Sequence, residues 1–569
     1  MPLLLLAQLA APSTQSSPIR LPELRPALER PDSPGQRQAP TIQTDPSETA
    51  PPPVPADPLP PSPGKGDAPL HGPDHHSRTP VPIQGQTPYT NTQLQQILGP
   101  CARVSDPQQR LTACAAALTA RLVADGYVNS RVYALSKADT QALEVVEGRI
   151  VELEVSGPEG RQLSRITRLL SHLKGKVLHL PSLERELRLL RITPGVKSVK
   201  ASLSRLGSDP SQARVTVNVK TGAPRWQGDL AVRNDGSSGT GEFRSSATFV
   251  KPGVGTIDDL LLIYGEVSGN DAPNAGQLIG SASYTFPLGP SLNFTAAFGS
   301  SRSEIVDGLP PGAAVPTSRQ IQGLGQLEWV LKDRLTHRFA LFAGLSGNTL
   351  QNFANNQPVG ELTSGYVRYG VNASGIRNSV IWGANAYLMN AVPSITPLDQ
   401  RRLLEAPPGG FRLGRSMGAG GLLSASWAVA PAVQLTGRLA GQLGFNQLLP
   451  SMQFTLGSDA GLRGLPGQLI SGDNGWLSTV EAAWTVWKNK ANAIQVVPFA
   501  GAGGVTQQNP LGDVSDTVGS YGLLLRWLAG SNWIVELGGI DQVSTANNPG
   551  PWVNSLLGSG LYAKVQYRF

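Results

Sequence analysis

The sequence ends on Leu561-Tyr-Ala-Lys-Val-Gln-Tyr-Arg-Phe569, a stretch in which apolar and polar side chains alternate. The odd-numbered positions are apolar or aromatic, and the even-numbered positions carry Tyr, Lys, Gln and Arg. Successive side chains of an extended strand point to opposite faces. The stretch therefore predicts a β-strand with one apolar and one polar face.

The same alternation runs through residues 222–569, in short stretches separated by loops rich in Gly, Asn, Asp, Ser and Pro. It is clearest from Val433 to Phe445, where the apolar residues again occupy odd positions. A strand between lipid and a wet lumen requires this division. Strands of about 9–11 residues allow about 16 in this region, an even number that can close and satisfy every backbone amide. We therefore expect a transmembrane antiparallel β-barrel over 222–569, in a mostly β protein.

Composition excludes several other classes. Charged residues make up 15% of the chain, yet no apolar run reaches the length of about 18 residues that a transmembrane helix needs. The net charge of +7 comes from scattered basic residues, which predicts no nucleic-acid partner. The two cysteines have no metal-ligand pattern around them, so we expect no metal and no cofactor.

No catalytic motif stands out in the sequence. We find no nucleophile elbow, no HExxH and no phosphate-binding Gly-x-x-x-x-Gly-Lys-Ser/Thr. Glu361, Glu405 and Glu481 read as isolated carboxylates in the lumen or in loops rather than as a catalytic pair. The chain is therefore not expected to be an enzyme, although a soluble β-rich enzyme is the alternative from a different class.

The N-terminal region is not expected to form a core. Residues 1–11 resemble the apolar part of a secretory signal that lacks its basic leader. Residues 12–80 hold 19 of the 48 prolines and predict an extended, disordered linker. Three histidines of this linker, His71, His75 and His76, are more often inert than metal ligands in such a setting.

Residues 81–156 predict a first small α/β module. A short helix capped by Thr90 or Asn91 precedes a longer helix from Pro107 to Asp125, and Gly126 ends the latter. Two strands should follow, at 128–135 and 143–155. Cys114 points at the core and Cys101 lies in the turn before its helix, so a disulfide can pin the two helices in an oxidising compartment. Two buried free thiols are the alternative.

Residues 157–221 predict a second module of the same kind. Its helix from Ser182 to Ile192 carries Leu183 and Leu187 on one face, and Thr193-Pro-Gly195 ends it. Strands are expected at 196–204 and 213–220. The second strand alternates cleanly, with Val215 and Val217 on one face.

Two α/β modules followed by a large barrel resemble the two-partner secretion transporters of the haemolysin secretion/activation type, whose periplasmic modules are called POTRA (polypeptide-transport-associated) domains. The resemblance covers residues 81–569. Its motifs are Gly126-Tyr-Val-Asn-Ser-Arg-Val132, Val145-Val-Glu-Gly-Arg-Ile150, Leu183 to Val196, Arg233 to Arg244, Pro252 to Asp259, Leu456 to Leu465 and Ser471 to Gly475.

The resemblance implies a loop that folds back into the lumen, with Leu462-Arg463-Gly464-Leu465 standing for the family's Val-Arg-Gly-Phe/Tyr tetrad. The family pairs this arginine with an aspartate in a Pro-Phe-x-Asp-x-Gly context. Here the matching stretch is Pro498-Phe-Ala-Gly-Ala-Gly503, so Gly501 stands where that aspartate would be. We therefore expect either that Arg463 finds another acid, such as Asp473, or that this contact of the loop is weaker here than in the family. A solvated loop arginine is the alternative.

The resemblance also implies the partners. The modules would recognise an unfolded exoprotein in the periplasm by strand addition, at the second module's strand 213–220 and helix 182–192. Leu183, Leu187, Val215 and Val217 are the expected contact residues. The barrel would lie in outer-membrane lipid, and the aromatic end at Tyr567 and Phe569 resembles the signal that barrels present to the barrel-assembly machinery.

Two other classes of outer-membrane protein would also have a barrel of this kind. A barrel-assembly or insertion factor has the same architecture but usually three to five periplasmic modules, whereas this chain has room for two. A passive porin would not need the modules, and its strands would begin near the N-terminus.

Overall fold

The computed structural model describes residues 41–44 and 81–569, apart from 138–139, 194, 208, 223–225, 238, 271–274, 306–311, 335, 378, 407–410, 468, 510–511 and 545–555. The expectations for residues 1–11 and for His71, His75 and His76 lie outside this part. The described chain forms two compact units that meet in sequence at Pro224. No helix among the described residues is long and apolar enough to cross a membrane.

The first α/β module follows a short strand β1 (Thr41–Thr44). Its elements are β2 (Ile83–Gln84), α1 (Asn91–Leu98), α2 (Pro107–Ala124), β3 (Arg131–Lys137) and β4 (Thr140–Val146), with sheet order β2-β4-β3.

Local sequence explains the helices of this module. Thr90 and Gln93 form a capping box at the start of α1, and Asp106 caps α2 just before a proline in its first turn. Tyr89 donates a hydrogen bond of 2.8 Å to Asp125 at the end of α2. Burial of the Tyr89 side chain raises its pKa, and this hydrogen bond raises it further. The core comprises Leu94, Leu98, Leu111, Cys114, Leu118 and Leu122.

The second module consists of β5 (Arg149–Ser156), α3 (Gly160–Leu170), α4 (Leu180–Ile192), β6 (Val196–Arg205) and β7 (Gln212–Thr221). Its sheet order is β1-β6-β7-β5, so β7 lies between two partners and β1 pairs in parallel with β6.

The predicted strand 143–155 was wrong in extent, because the chain breaks at Glu147 and Gly148 into two strands of different sheets. β4 stays in the first sheet, whereas β5 pairs in parallel with β7 in the second. An added Cβ at Gly148 would lie 2.2 Å from the Asn129 side chain, so the glycine permits this close crossover. The first module therefore ends before Gly148 rather than at residue 156.

The two modules contact each other where this crossover occurs. The backbone of Leu180 at the start of α4 donates to the carbonyl of Gly126, and Asn129 donates to the carbonyl of Ser211, both at 2.9 Å. Gly126 has φ +93°, and a Cβ there would lie 2.6 Å from Pro181. The glycine that ends α2 is thus also required for packing against the second module.

Sixteen antiparallel strands form a closed barrel, which confirms the predicted class and strand number. In chain order they are β8 (Gln227–Arg233), β9 (Phe243–Pro252), β10 (Leu260–Gly269), β11 (Ala275–Pro287), β12 (Leu292–Glu304), β13 (Pro316–Asp333), β14 (His337–Ala354), β15 (Gln357–Arg377), β16 (Val380–Ala391), β17 (Met417–Ala430) and β18 (Val433–Gly444), then, after a hairpin of β19 (Phe454–Leu456) and β20 (Ile470–Gly472), β21 (Asn474–Lys488), β22 (Asn492–Gln507), β23 (Val514–Ala529), β24 (Trp533–Ser544) and β25 (Leu561–Arg568). A short helix α5 (Leu398–Glu405) lies in the β16–β17 connection.

The alternation of side chains follows the two surfaces of the barrel. On β18, Leu439 and Leu443 are exposed on the outer wall, whereas Gln442 is buried among lumen groups. On β25, Leu561 and Val565 are exposed and Tyr562 and Gln566 are buried. The division matches an apolar wall around a polar lumen.

The barrel closes between its first and last strands. Register pairs run from Lys564–Arg233 to Arg568–Asp229, and the backbones of Phe569 and Gly228 add two hydrogen bonds at the chain end. At the opposite end β8 stops at Arg233, and the side chain of Asn234 continues the pairing. Its amide donates to the Leu561 carbonyl at 2.8 Å and accepts from the Ala563 amide at 2.9 Å. We refer to the β8–β25 contact as the seam.

Candidate functional site: a loop inside the barrel

The β18–β21 connection enters the barrel instead of extending away from it. It contains the β19–β20 hairpin and the segment Ser458–Gly467 between the two strands, which we call the inner loop. Leu462 and Leu465 of the inner loop are fully buried, and they share a cluster with Leu477, Val505 and Val518 of the barrel strands. The loop is thus packed against the inner wall.

The tip of the inner loop is tight. The backbone of Leu462 donates to the Gly457 carbonyl and that of Ser458 to the Pro466 carbonyl. Gly464 adopts φ +81°, and an added Cβ would lie 2.9 Å from Ile540 of β24. Any other residue would be strained here and would lift the tip off the wall, since left-handed backbone favours glycine.

Arg463 lies in a ring of alternating charges. Its guanidinium contacts Glu536 of β24 at 2.6 Å and Glu481 of β21 at 2.9 Å. Arg526 of β23 contacts the same two carboxylates at 2.6 Å each. Each glutamate therefore accepts from two arginines, an arrangement that suits the planar, multidentate guanidinium.

Further contacts fix the tip at Arg463. Ser520 donates to the Arg463 carbonyl and Gln542 to the Gly464 carbonyl, at 2.5 and 2.6 Å. The guanidinium also lies over the rings of Phe499 and Tyr562, with centroid distances of 5.9 and 5.7 Å. Contacts to charged, neutral and aromatic groups converge on this one residue.

The expected partner Asp473 was wrong. Its carboxylate instead accepts from the backbone amides of Leu448 and Gln508, at 2.8 and 2.7 Å, and from the Gln453 side chain. These contacts tie the start of the β18–β21 connection to its end and to the β22–β23 connection. Asp473 therefore shapes the base of the connection while the two glutamates hold its tip.

Gly501 stands where the family has an aspartate, and its lack of a side chain leaves room for Leu462 of the inner loop. An added Cβ at Gly501 would lie 2.9 Å from Leu462 Cδ2 and 3.0 Å from Thr479 Cγ2. Leu462 thus occupies the space that a side chain at 501 would need. The acid is supplied from β21 and β24 instead, so Glu481 is not the isolated carboxylate that the sequence indicated.

The lumen parity of the strands could have revealed these partners. Glu481, Arg526 and Glu536 each occupy the lumen-facing parity of their strand, flanked by lipid-facing residues such as Val480, Trp527 and Leu537. A charged side chain at a lumen-facing position can contact a loop that folds into the lumen. The sequence alone does not show which strands face the tip of the inner loop. Glu361 and Glu405 contact Gln351 and Arg401 outside this ring.

The expected receptor residues do not reach the surface of the second module. Leu183, Leu187, Val215 and Val217 are at most 1% exposed, because they form the contact between α4 and the sheet. The strand that carries the two valines, β7, is paired on both sides. Neither these side chains nor the β7 backbone can therefore bind an exoprotein in this structure.

The edges of the two sheets are the alternative. β3 pairs only with β4 among the described residues, and its Tyr133 is 44% exposed. The outer edge of β6 pairs in parallel with β1, from Thr41–Lys200 to Thr44–Leu203. That edge therefore accepts an extended segment of chain.

The remaining predicted residues lie in the first module and on the last strand of the barrel. Cys101 and Cys114 are joined by a disulfide with a Cα–Cα distance of 5.2 Å. Tyr567 and Phe569 stack with a centroid distance of 6.3 Å, and Tyr567 also contacts Trp533. Groups of three or more metal-ligating side chains are not found among the described residues.

Comparison with known proteins gives one consistent family. The family model "Haemolysin secretion/activation protein ShlB/FhaC/HecB" matches residues 211–522. The outer membrane transporter CdiB of Escherichia coli is 23% identical over 444 residues, which cover 72% of this chain and 68% of that protein.

Solved structures share the fold. CdiB from Escherichia coli superposes with a TM-score of 0.66 at 16% identity, covering 90% of this chain and 93% of that chain. CdiB from Acinetobacter baumannii gives 0.59 at 14% identity, over 86% and 88%. BamA from Haemophilus ducreyi lacking POTRA domains 1–3 gives 0.50 at 13% identity, over 87% and 100%.

Proposed function

Because the chain belongs to the haemolysin secretion/activation family ShlB/FhaC/HecB, we propose that it is an outer-membrane transporter that secretes one large partner exoprotein through its own barrel. The observation that carries the proposal is the inner loop, anchored by Arg463 to Glu481 and Glu536. This loop lies in the lumen through which we propose that the exoprotein passes.

Recognition begins at the two α/β modules, which we assign as POTRA domains in the periplasm. The exoprotein adds a strand to the edge of β3, or takes the place of β1 on β6, where backbone hydrogen bonds give affinity without one required sequence. The exposed ring of Tyr133 supports the first edge. The pairing of β1 with β6 supports the second, since it shows an edge that takes an extended segment.

The lumen then accommodates an extended chain. Its wall presents neutral amides from β13 and β14, including Gln320, Gln322, Gln326 and Asn348, with the Gln320 amide donating to Asn348 at 2.7 Å. Such groups exchange hydrogen bonds with a passing backbone irrespective of its side chains. Folding of the exoprotein outside the cell supplies the driving force, in keeping with the lack of a nucleotide-binding motif.

Biogenesis of the barrel depends on its last strand. Tyr567 and Phe569 lie at the periplasmic rim with Trp533 and Phe249, and we assign them as the signal read by the barrel-assembly machinery. Outer-membrane lipid covers the apolar wall.

Deletion of the gene tests the export proposal against the assembly alternative. We expect loss of a single exoprotein from the medium, restored by the full chain, with the other outer-membrane proteins at normal levels. General loss of barrel proteins would instead identify an assembly factor and overturn the proposal.

A further inference from the structure

The inner loop has a second anchor besides Arg463. Asp459 contacts Arg244 of β9 at 2.9 Å and lies 3.8 Å from Arg233 of β8. Ser458 Oγ lies 3.4 Å from the same Arg244 guanidinium. An added Cβ at Gly467 would lie 2.4 Å from Arg244, so both limbs of the loop pass close to this arginine.

The barrel residues that form this second anchor are buried and paired with one another. Arg244 and Glu266 of β10 are almost completely buried, and they pair through two bonds of 2.6 and 2.9 Å. Arg233 also contacts Glu266, at 3.0 Å, and lies 3.2 Å from Asp235. The wall cluster without the loop holds two arginines and two acids, so its charges already balance. Asp459 therefore adds a third acid to this cluster. It accepts from guanidinium groups that the acids of the barrel wall already hold in place.

The two anchors lie on opposite sides of the seam. Strand order around the closure is β21-β22-β23-β24-β25-β8-β9-β10. Arg463 contacts β21 and β24, on the β25 side, whereas Asp459 contacts β8 and β9, on the β8 side. The segment between the anchors is compact: Ser458–Ala460 form a 3-10 turn, and the backbone amides of Gly461 and Leu462 donate to the carbonyls of Ser458 and Gly457, so the two anchors are joined by a short, internally hydrogen-bonded piece of chain.

We propose that the segment Asp459–Arg463 is a strap that ties the two sides of the seam together from inside the lumen. Asp459 and Arg463 are its two positioning residues. Because the strap is one covalent segment, it transmits force only while both ends are held. Displacing the loop at either end therefore loosens the closure between β8 and β25, and opening the seam pulls on the loop.

Hydrogen exchange of the full-length protein in detergent tests this without any exoprotein, so its outcome is independent of the export proposal. Asp459→Asn removes the charge without changing size, and Arg463→Gln removes the other end. Each should raise exchange in peptides of β8 and β25 about tenfold, since each removes charge-assisted hydrogen bonds. Asp513→Asn, the same chemical change in the β22–β23 connection, should leave the seam unchanged.

The double variant Asp459→Asn with Arg463→Gln separates a strap from two independent clamps. A strap predicts the same seam exchange as in either single variant, because one broken end already releases it. Independent clamps predict the product of the two effects, about a hundredfold, and would overturn the proposal. Unchanged seam exchange in Asp459→Asn would also overturn it.

A variant on the wall repeats the test from the other partner. Arg244→Lys keeps the charge but lacks the fork that holds Glu266 and Asp459 together. It should raise seam exchange as Asp459→Asn does, and Asp459→Glu should remain within about threefold of the parent because it keeps the ion pair. Heat-modifiable migration in gels confirms that each compared barrel is folded.

Discussion

Phe569 and Gly228 exchange two backbone hydrogen bonds of 3.1 Å, which join the last residue of the chain to the first strand of the barrel. An added Cβ at Gly228 would lie 3.0 Å from the Phe569 ring and 2.0 Å from the carbonyl of Thr248. Glycine at position 228 thus leaves room for the Phe569 ring to pack against β8 and β9. Closure of the barrel and placement of its terminal ring are one event.

A charge on the outer face of the terminal strand should block membrane assembly. Val565 is exposed on the apolar wall, so Val565→Glu should reduce the amount of folded barrel, since a carboxylate on the lipid-facing surface is destabilising. Lys564 faces the other way, and Lys564→Gln should assemble normally. Heat-modifiable migration and membrane fractionation distinguish the two, and equal amounts of folded Val565→Glu would contradict the assigned face.

Loss of the Arg463 side chain should reduce secretion while leaving the barrel inserted. Arg463→Ala removes one of the two arginines that contact Glu481 and Glu536 and leaves Arg526 in place, so about 2–3 kcal/mol of anchoring is lost. The exoprotein in the medium should fall about tenfold or more, as measured by immunoblotting. Arg401→Ala, in the α5 helix, serves as the control for loss of an arginine. Secretion equal to the parent's would refute the role of Arg463.

Filling the space at Gly501 should displace Leu462 and thereby the loop. Gly501→Val puts a branched side chain where Cδ2 of Leu462 lies 2.9 Å from the position of a Cβ. Overpacking of this kind costs about 1–3 kcal/mol, and secretion should fall several-fold with the barrel intact. Gly539→Val is the matched control, because a Cβ there meets nothing within 4 Å. A normal level of secretion by Gly501→Val would show that Leu462 is not needed in its place.

Core and edge residues of the modules should behave differently on truncation. Leu183→Ala opens a cavity under α4 and should cost about 2–5 kcal/mol, visible as faster hydrogen exchange in α4 of the full chain. Tyr133→Ala removes an exposed ring from β3 and should leave exchange unchanged while weakening capture of the exoprotein. The reverse result, with binding lost only in a stably folded Leu183→Ala, would restore the core residues as the receptor.

The disulfide should stabilise the first module. Its closed loop spans a sequence separation of 13 residues, for which chain entropy predicts about 3 kcal/mol. Replacing both cysteines by serine should accelerate hydrogen exchange in α1 and α2, with α4 of the second module as the internal reference. Equal exchange in α1 and α2 would show that the helices do not need the bond.

The sequence was sufficient for features set by local pattern. Side-chain alternation located β18 and β25, and the cap at Thr90, the proline after Asp106 and the break at Gly126 located the helices of the first module. It failed where tertiary pairing decides. Within residues 143–155 only Gly148 marks the break between β4 and β5, and its sequence context does not show that the two strands join different sheets. Nothing local to Val215 indicates that β7 is central.

The same limit applies to the site. A motif resemblance was enough to single out Arg463 and to notice that position 501 lacks an acid. The partners Glu481 and Glu536 come from strands that become neighbours of the tip only after the barrel closes. Asp473 lies closer to Arg463 in sequence than either glutamate does, but its carboxylate accepts hydrogen bonds from backbone amides at the base of the connection.

Because Asn234 follows directly after β8, the two ends of the seam are paired in different ways. At Phe569 the pairing is made by two backbone hydrogen bonds of 3.1 Å, whereas at Asn234 one backbone hydrogen bond of 3.3 Å to Ala563 is supplemented by two contacts of a side-chain amide that two torsion angles can turn away. Side-chain rotation occurs within picoseconds to nanoseconds once its partners let go, whereas separating paired strands is a collective and slower motion. We therefore expect any separation of the first strand from the last to begin at the Asn234 end of the seam.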